Sequence, residues 1–105
     1  MTDKSPALVA LADPARRRLL DILSAEGPRT ASALAVSFDI SRQAVTKHLN
    51  TLEQAGLVQR STKGRSVFFE IDARELRATA RWVSTVTNRW EERVDRLAAM
   101  LDNSE

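Results

Sequence analysis

The stretch that most constrains this chain runs from Ile40 to Leu57 and reads ISRQAVTKHLNTLEQAGL. Ser41 carries a hydroxyl that can accept from a free backbone N–H two or three residues on, and so cap a helix. Gly56 can close the same helix, because glycine enters the left-handed backbone region without steric cost. Between them Val45, Leu49 and Leu52 recur at i, i+4, i+7, which is one helical face. The opposite face carries Gln43, Lys47, Asn50 and Gln54, with Thr46 on its flank and Arg42 at its N-terminal end. It holds hydrogen-bonding and cationic groups and no carboxylate; the helix's only acid is Glu53, near its far end. Such a face suits a major groove, where base edges offer donors and acceptors between walls of phosphate. A solvated helix can show the same pattern, so the flanking segments decide.

Upstream, Thr30 is a second capping residue, and the following ASALAVSF predicts a short helix with Ala31, Leu34 and Ala35 turned inward. Asp39-Ile40 interrupts the pattern before Ser41 restarts it, which is the spacing of a helix-turn-helix. Before that, Asp13-Pro14 opens a helix through ARRRLLDILSAE, with Leu19, Ile22 and Leu23 as its buried stripe, and Gly27-Pro28 stops it. The run Arg16, Arg17 and Arg18 reads as a solvated first turn with salt bridges in preference to a phosphate clamp. Pro6 can begin a short helix bearing Ala7, Leu8 and Leu11, preceded by a loose tail from Met1 to Ser5.

Downstream of Gly56 the period changes from 3.6 to 2. LVQRS is a strand, TKGR a turn around Gly64, and SVFFEID a second strand with Val67, Phe69 and Ile71 on one face. Lys63 and Arg65 stand at the tip, with Arg60 and Thr62 on the approach. A cationic hairpin directly after a recognition helix is a wing, and its arginine can enter a narrow minor groove. The remainder is one helix from about Ala73 to Leu101. Leu76, Ala80, Val83, Thr87, Trp90, Val94, Leu97 and Leu101 step by four and three throughout, an a/d heptad stripe with Thr87 as its polar member. At 1.5 Å per residue it is about 40 Å long, more than the preceding body can cover. The uncovered part predicts a homodimer built on Val83, Trp90, Val94, Leu97 and Leu101, with Leu8 and Leu11 of the first helix packed alongside.

Charge is distributed unevenly along the 105 residues. Between Arg29 and Arg65 six bases (Arg29, Arg42, Lys47, Arg60, Lys63, Arg65) face two acids (Asp39, Glu53), against a net charge of +2 for the whole chain. That concentration is the footprint of a nucleic-acid face. It argues against the competing reading, a winged-helix module that binds a protein partner through its last helix and reads little DNA. With no cysteine and one histidine the sequence offers no thiolate metal site and no Ser-His-Asp set, and it has no glycine-rich phosphate loop. We therefore expect no enzyme, no cofactor and no metal. No apolar run has membrane-spanning length, so a cytoplasmic protein without membrane attachment is expected.

The wording itself resembles a known family. LADPARRRLLDIL, TASALAVSFDISRQAVTKHLNTLEQAGLV and GRSVFFEID together are similar, over nearly the full length, to the ArsR-type bacterial winged helix-turn-helix repressors. The closing helix, with WEERVDRL from Trp90 to Leu97, resembles the branch of that family without metal sites. The resemblance implies a homodimeric transcriptional regulator, usually a repressor, that leaves double-stranded DNA when a signal binds; the inducer is unknown. Carried over by position, Arg42, Gln43, Thr46 and Lys47 would read bases, to which the polar face adds Asn50. Thr30 and Ser41 would touch phosphate, and Lys63 and Arg65 would form the wing tip. His48 matches a frequent family histidine, with packing or a phosphate contact as its role. Metal-sensing members carry thiols about where Thr30 and Ser32 stand, or Asp/His ligands on the terminal helices, where this chain has Asp95 and Asp102 without a histidine. A first-row transition metal wants imidazole or thiolate.

The expected fold is mainly α with a two-stranded β-wing. It is a single winged helix-turn-helix domain over residues 1–105: N-terminal helices 6–27, helix-turn-helix 30–56, wing 57–72 and a dimerisation helix 73–102.

Overall fold

Helix starts fall where side chains can take up the free N–H groups. In the computed structural model, which describes residues 5–102, Asp13 accepts from the N–H groups of Ala15 (2.8 Å) and Arg16 (3.2 Å), and Pro14 occupies the first turn of α2 (Pro14–Glu26). Thr30 accepts from Ala33 at 3.1 Å to start α3 (Ala31–Val36), and Ser41 accepts from Ala44 at 3.1 Å to start α4 (Arg42–Gln54). α4 ends two residues before Gly56. Gly56, at φ +78°, donates to Glu53 O, and Leu57 donates to Leu52 O, so the free carbonyls of the last turn are satisfied. α1 (Ser5–Leu11) precedes these helices. Ser5 is thus already helical, and the rest of the expected N-terminal tail lies outside the described residues.

The core lies where α1, α2, α3 and α4 meet the base of a hairpin. Val45, Leu49 and Leu52, the predicted inward stripe of α4, are fully buried, as is Leu34 of α3. On α2 the buried residues are Leu19, Leu20 and Leu23, while Ile22 is half-buried. The stripe is rotated towards Leu20 because α2 is covered by α1 and the hairpin as well as by α4. Ala7 and Ala10 bring α1 close to its neighbours.

The hairpin pairs β1 (Val58–Lys63) with β2 (Ser66–Ile71) antiparallel, in register from Val58↔Ile71 to Lys63↔Ser66. Its loop is therefore Gly64-Arg65 alone, shorter than the four-residue turn TKGR. Gly64 at φ +62° is its only positive-φ residue, the backbone pattern of a type II′ turn, whose twist matches the strands. Phe69 is buried and Ile71 half-buried, but Val67 is exposed, because it pairs with Thr62 beyond the edge of the body. Arg29 exchanges both backbone hydrogen bonds with Phe69 (3.0 and 2.8 Å), tying the α2–α3 link to β2.

One residue, Asp72, separates β2 from α5 (Ala73–Asp102). Its N–H donates to Leu57 O at 3.0 Å, and its carboxylate accepts from the Arg74 N–H at 3.2 Å. α5 rests on α1. Its inward residues there are Leu76, half-buried, and Thr79, fully buried; the predicted stripe passed over Thr79 in favour of Ala80, which is exposed. From Ala80 to Asp102 every residue is exposed. Thirty helical residues span about 45 Å, and the protomer measures 71 × 31 × 21 Å. Its radius of gyration, 19.0 Å, exceeds the about 13 Å of a compact chain this size, because most of α5 is a free rod.

Candidate nucleic-acid interface

The outer face of α4, the start of α3 and the hairpin enclose an open cleft of about 540 Å³. Thr30 and Ser32 line it from α3, Arg42 and Thr46 from α4, and Arg60, Arg65, Ser66 and Val67 from the hairpin. Arg42 and Thr46, one helical turn apart, look into the cleft towards the wing. Gln43, Lys47 and Asn50 are exposed on the adjoining row. The structure therefore brings together Thr30, Arg42, Thr46 and Arg65 around one cavity. Ser41, Gln43, Lys47, Asn50 and Lys63 lie outside its lining. Lys63 holds its ammonium 5.9 Å from the centre of the Phe68 ring, within cation–π range.

The cations of this region divide into two groups. Arg60 donates to both oxygens of Glu53 (2.8 Å each) and to Asn50 Oδ1 (2.7 Å), and its guanidinium lies 5.0 Å over the Phe69 ring. The Glu53 carboxylate holds the Arg60 pKa above its ordinary value. Arg29 donates to Pro28 O at 2.7 Å and stands 3.7 Å from Glu26. Among the described residues Arg42, Lys47, Lys63 and Arg65 form no ion pair. The acid of α4 is thus neutralised from inside the protein, and four cations are left for an external anion.

The arginine run of α2 lies elsewhere. Arg16 donates to the carbonyls of Ala10 (2.8 Å) and Val9 (3.2 Å), and Arg17 donates to Leu11 O (2.7 Å), closing the C-terminal end of α1. Arg18 donates to Ser37 O at 3.1 Å, just past α3, and stacks 4.7 Å over Phe38. Arg16 also stands 3.8 Å from Asp13. The turn is solvated at Arg17 and Arg18 and carries that one salt bridge, as expected, and its guanidinium groups serve in addition as helix-end ligands; a contiguous sequence shows the charge but not carbonyls six to nineteen residues away. Asp13 is held below the usual carboxylate range, chiefly by the Arg16 N–H. His48 is half-buried on α4 and does not line the cleft.

No thiol stands where a metal-sensing member would carry one. Thr30, where a thiol would be wanted, spends its hydroxyl on the α3 cap. Among the described residues no three His, Cys, Asp or Glu side chains stand close enough to hold an ion. Among the same residues no helix is long and apolar enough to cross a membrane.

On the exposed rod, Val83 (45%), Val94 (47%), Leu97 (57%), Trp90 (64%) and Leu101 (64%) form one apolar stripe, widened by Trp82, Val86 and Met100. Leu8 of α1 is partly exposed, whereas Leu11 packs against its own core.

A packed helix pair, α3 on α4, a capped second helix with an open polar face and a hairpin beside it define a winged helix-turn-helix protein of the DNA-binding kind. Comparison with known proteins agrees. A family model described as a helix-turn-helix domain matches residues 11–60. The transcriptional repressor SdpR of Bacillus subtilis (strain 168) is 32% identical over 80 residues, 76% of this chain and 88% of that protein. The solved structure of an ArsR-like transcriptional regulator from Rhodococcus sp. RHA1 superposes with a TM-score of 0.84 at 32% identity, over 96% of this chain and 92% of that one. The homodimeric winged helix-turn-helix DNA-binding domain of Mb0332 from Mycobacterium bovis, a possible ArsR-family regulator, shows a TM-score of 0.60 at 27% identity, over 84% and 88% of the two chains. The chain belongs to the ArsR-type family of winged helix-turn-helix transcriptional regulators.

Proposed function

We propose that the protein is a cytoplasmic homodimeric repressor that reads an inverted-repeat operator, with α4 in the major groove and the wing at the minor groove. The observation that carries this reading is the cleft between α4 and the hairpin, where Arg42, Thr46 and Arg65 meet and the neighbouring acid is neutralised by Arg60. In this arrangement Arg42, Gln43, Thr46, Lys47 and Asn50 face base edges. Thr30 and Ser41 approach phosphates beside their helix N-termini, where the free N–H groups favour anions. Lys63 and Arg65 hold the wing to the backbone and minor groove. A second copy covers Val83, Trp90, Val94, Leu97 and Leu101, with Leu8 alongside, and a two-fold dimer presents two α4 helices to two half-sites.

Selection of bound duplexes from a random pool, at near-physiological salt, tests this reading. It requires an inverted repeat with half-sites about one helical turn, roughly 10 bp, apart. A folded, dimeric protein that enriches no sequence would send the search to protein partners of α5.

A further inference from the structure

Three arginines line the cleft between α4 and the hairpin: Arg42, Arg60 and Arg65. Among the described residues Arg42 and Arg65 form no ion pair, whereas Arg60 is held by its own protein. Its Nε donates to Glu53 Oε2 and its Nη2 to Glu53 Oε1, both at 2.8 Å. Nη2 also donates to Asn50 Oδ1 at 2.7 Å, and the Phe69 ring centre lies 5.0 Å from the guanidinium carbon. Nη1 alone makes no bond among the described residues. A single exposed ion pair gives way easily to a competing anion. Here a two-bonded fork, a further acceptor and an aromatic ring hold the guanidinium together. A phosphate that drew Arg60 away would also leave the Glu53 carboxylate facing the DNA backbone. A phosphate that approached only Nη1 would meet a pair of zero net charge, in which the repulsion of Glu53 offsets the attraction of Arg60.

Resting on the DNA-binding role proposed above, we propose that Glu53 is a positioning residue that keeps Arg60 off the phosphate backbone and so limits the affinity of the protein for DNA of any sequence. Phosphate contacts supply the part of binding that carries no sequence information, and each cation that neutralises a phosphate adds to it. Arg60 stands in the cleft beside two arginines that are free to do this, yet its charge is cancelled within the protein. The cation that composition assigned to the DNA face is thus a latent one, and the single acid of α4 is what withholds it.

The test is the salt dependence of binding to a random-sequence duplex, read by fluorescence anisotropy for three proteins: the native chain, Glu53→Gln, and Glu53→Gln combined with Arg60→Met. Glutamine keeps one acceptor for Arg60, so the hairpin stays against α4 while the pair gains a net positive charge. Glu53→Gln is expected to steepen the slope of log affinity against log salt by about 0.9, which makes binding about eightfold tighter at 0.1 M salt if the affinities converge at 1 M. The double variant, again neutral, is expected to return to the native slope. A damaged fold would weaken binding and cannot imitate the gain. An unchanged slope in Glu53→Gln overturns the proposal, because Arg60 is then out of reach of DNA. A double variant with a shallower slope than the native chain also overturns it, since Arg60 would already be neutralising a phosphate; so does one that keeps the steeper slope, since the gain would then belong to the Glu53 charge alone. Should Glu53→Gln fail to fold, the double variant still decides whether the native Arg60 is withheld. Native protein that binds no duplex even at low salt removes the DNA-binding reading, and this inference with it.

Discussion

Truncating Leu97 to alanine measures what the free rod is for. In the protomer Leu97 is 57% exposed and stands in line with Trp90, Val94 and Leu101. Full burial of a leucine contributes about 1.5–3 kcal/mol, so covering the exposed part is worth about 1–1.5 kcal/mol per protomer. A two-fold interface loses this twice, about 2–3 kcal/mol, which raises the dimer dissociation constant roughly 30- to 150-fold. Because nothing in its own subunit buries Leu97, the stability of the monomer should stay within about 0.5 kcal/mol. Sedimentation equilibrium over a wide concentration range reads the dissociation constant directly. Asn88→Ala, on the opposite face of α5, is the control and should leave it unchanged. Operator binding by Leu97→Ala should recover at higher protein concentration, since each α4 is untouched. An unaltered dissociation constant, or an equal loss from Asn88→Ala, would refute the assignment of the stripe to a second copy.

Three further outcomes are expected. Leu49→Ala, at a fully buried site, should cost about 2–5 kcal/mol in urea denaturation, and a cost below 1 kcal/mol would mean that the α4 core stripe is misplaced. Lys63→Ala with Arg65→Ala should weaken binding to all sequences and lower the slope of log affinity against log salt by about 1–2; an unchanged slope would take the wing off the DNA. The Arg74 guanidinium beside Asp72 holds its carboxyl down at about 2, below the ordinary aspartate range. Its folded pKa is depressed, so the stabilisation is present above about pH 4 and is lost as pH falls towards 2. Asp72→Asn should flatten that acid limb in denaturation midpoints, and an identical acid limb in both proteins would discount the contact.

What could be read directly from the sequence was local. Asp13, Thr30 and Ser41 cap helices because a side chain two or three residues from an N–H needs no other part of the fold. The Val45, Leu49 and Leu52 stripe survives because a single period carries it. The hairpin and its glycine were visible for the same reason. Contacts distant in the chain left no periodic trace. Arg29 pairs with Phe69 as a single bridge, too short to alternate. Arg60 is one more base in a basic stretch until the hairpin brings it against Glu53 and Asn50 on α4. Arg16 to Arg18 look like surface charge, yet their partners are carbonyls, which every residue has and no composition reveals. Leu20 and Thr79 are buried by the direction from which neighbouring elements approach. On the outer face of α4 the exposed positions were legible, while the division of the nearby cations between internal partners and free ends needed the fold.

The single-residue joint at Asp72 limits how such a regulator can change length. One residue inserted in α5 before Val83 turns everything beyond it by about 100° and advances it about 1.5 Å. The apolar stripe would then point to solvent. Seven residues restore the facing but move the partner's reading head by about 10 Å. In the two-fold dimer proposed above, a change in the distance between half-sites would therefore come through heptad-sized steps in this helix or by repacking the contact. Single insertions and deletions are left to the turn before Ser41 and the tip of the hairpin, where neither phase nor reach is transmitted.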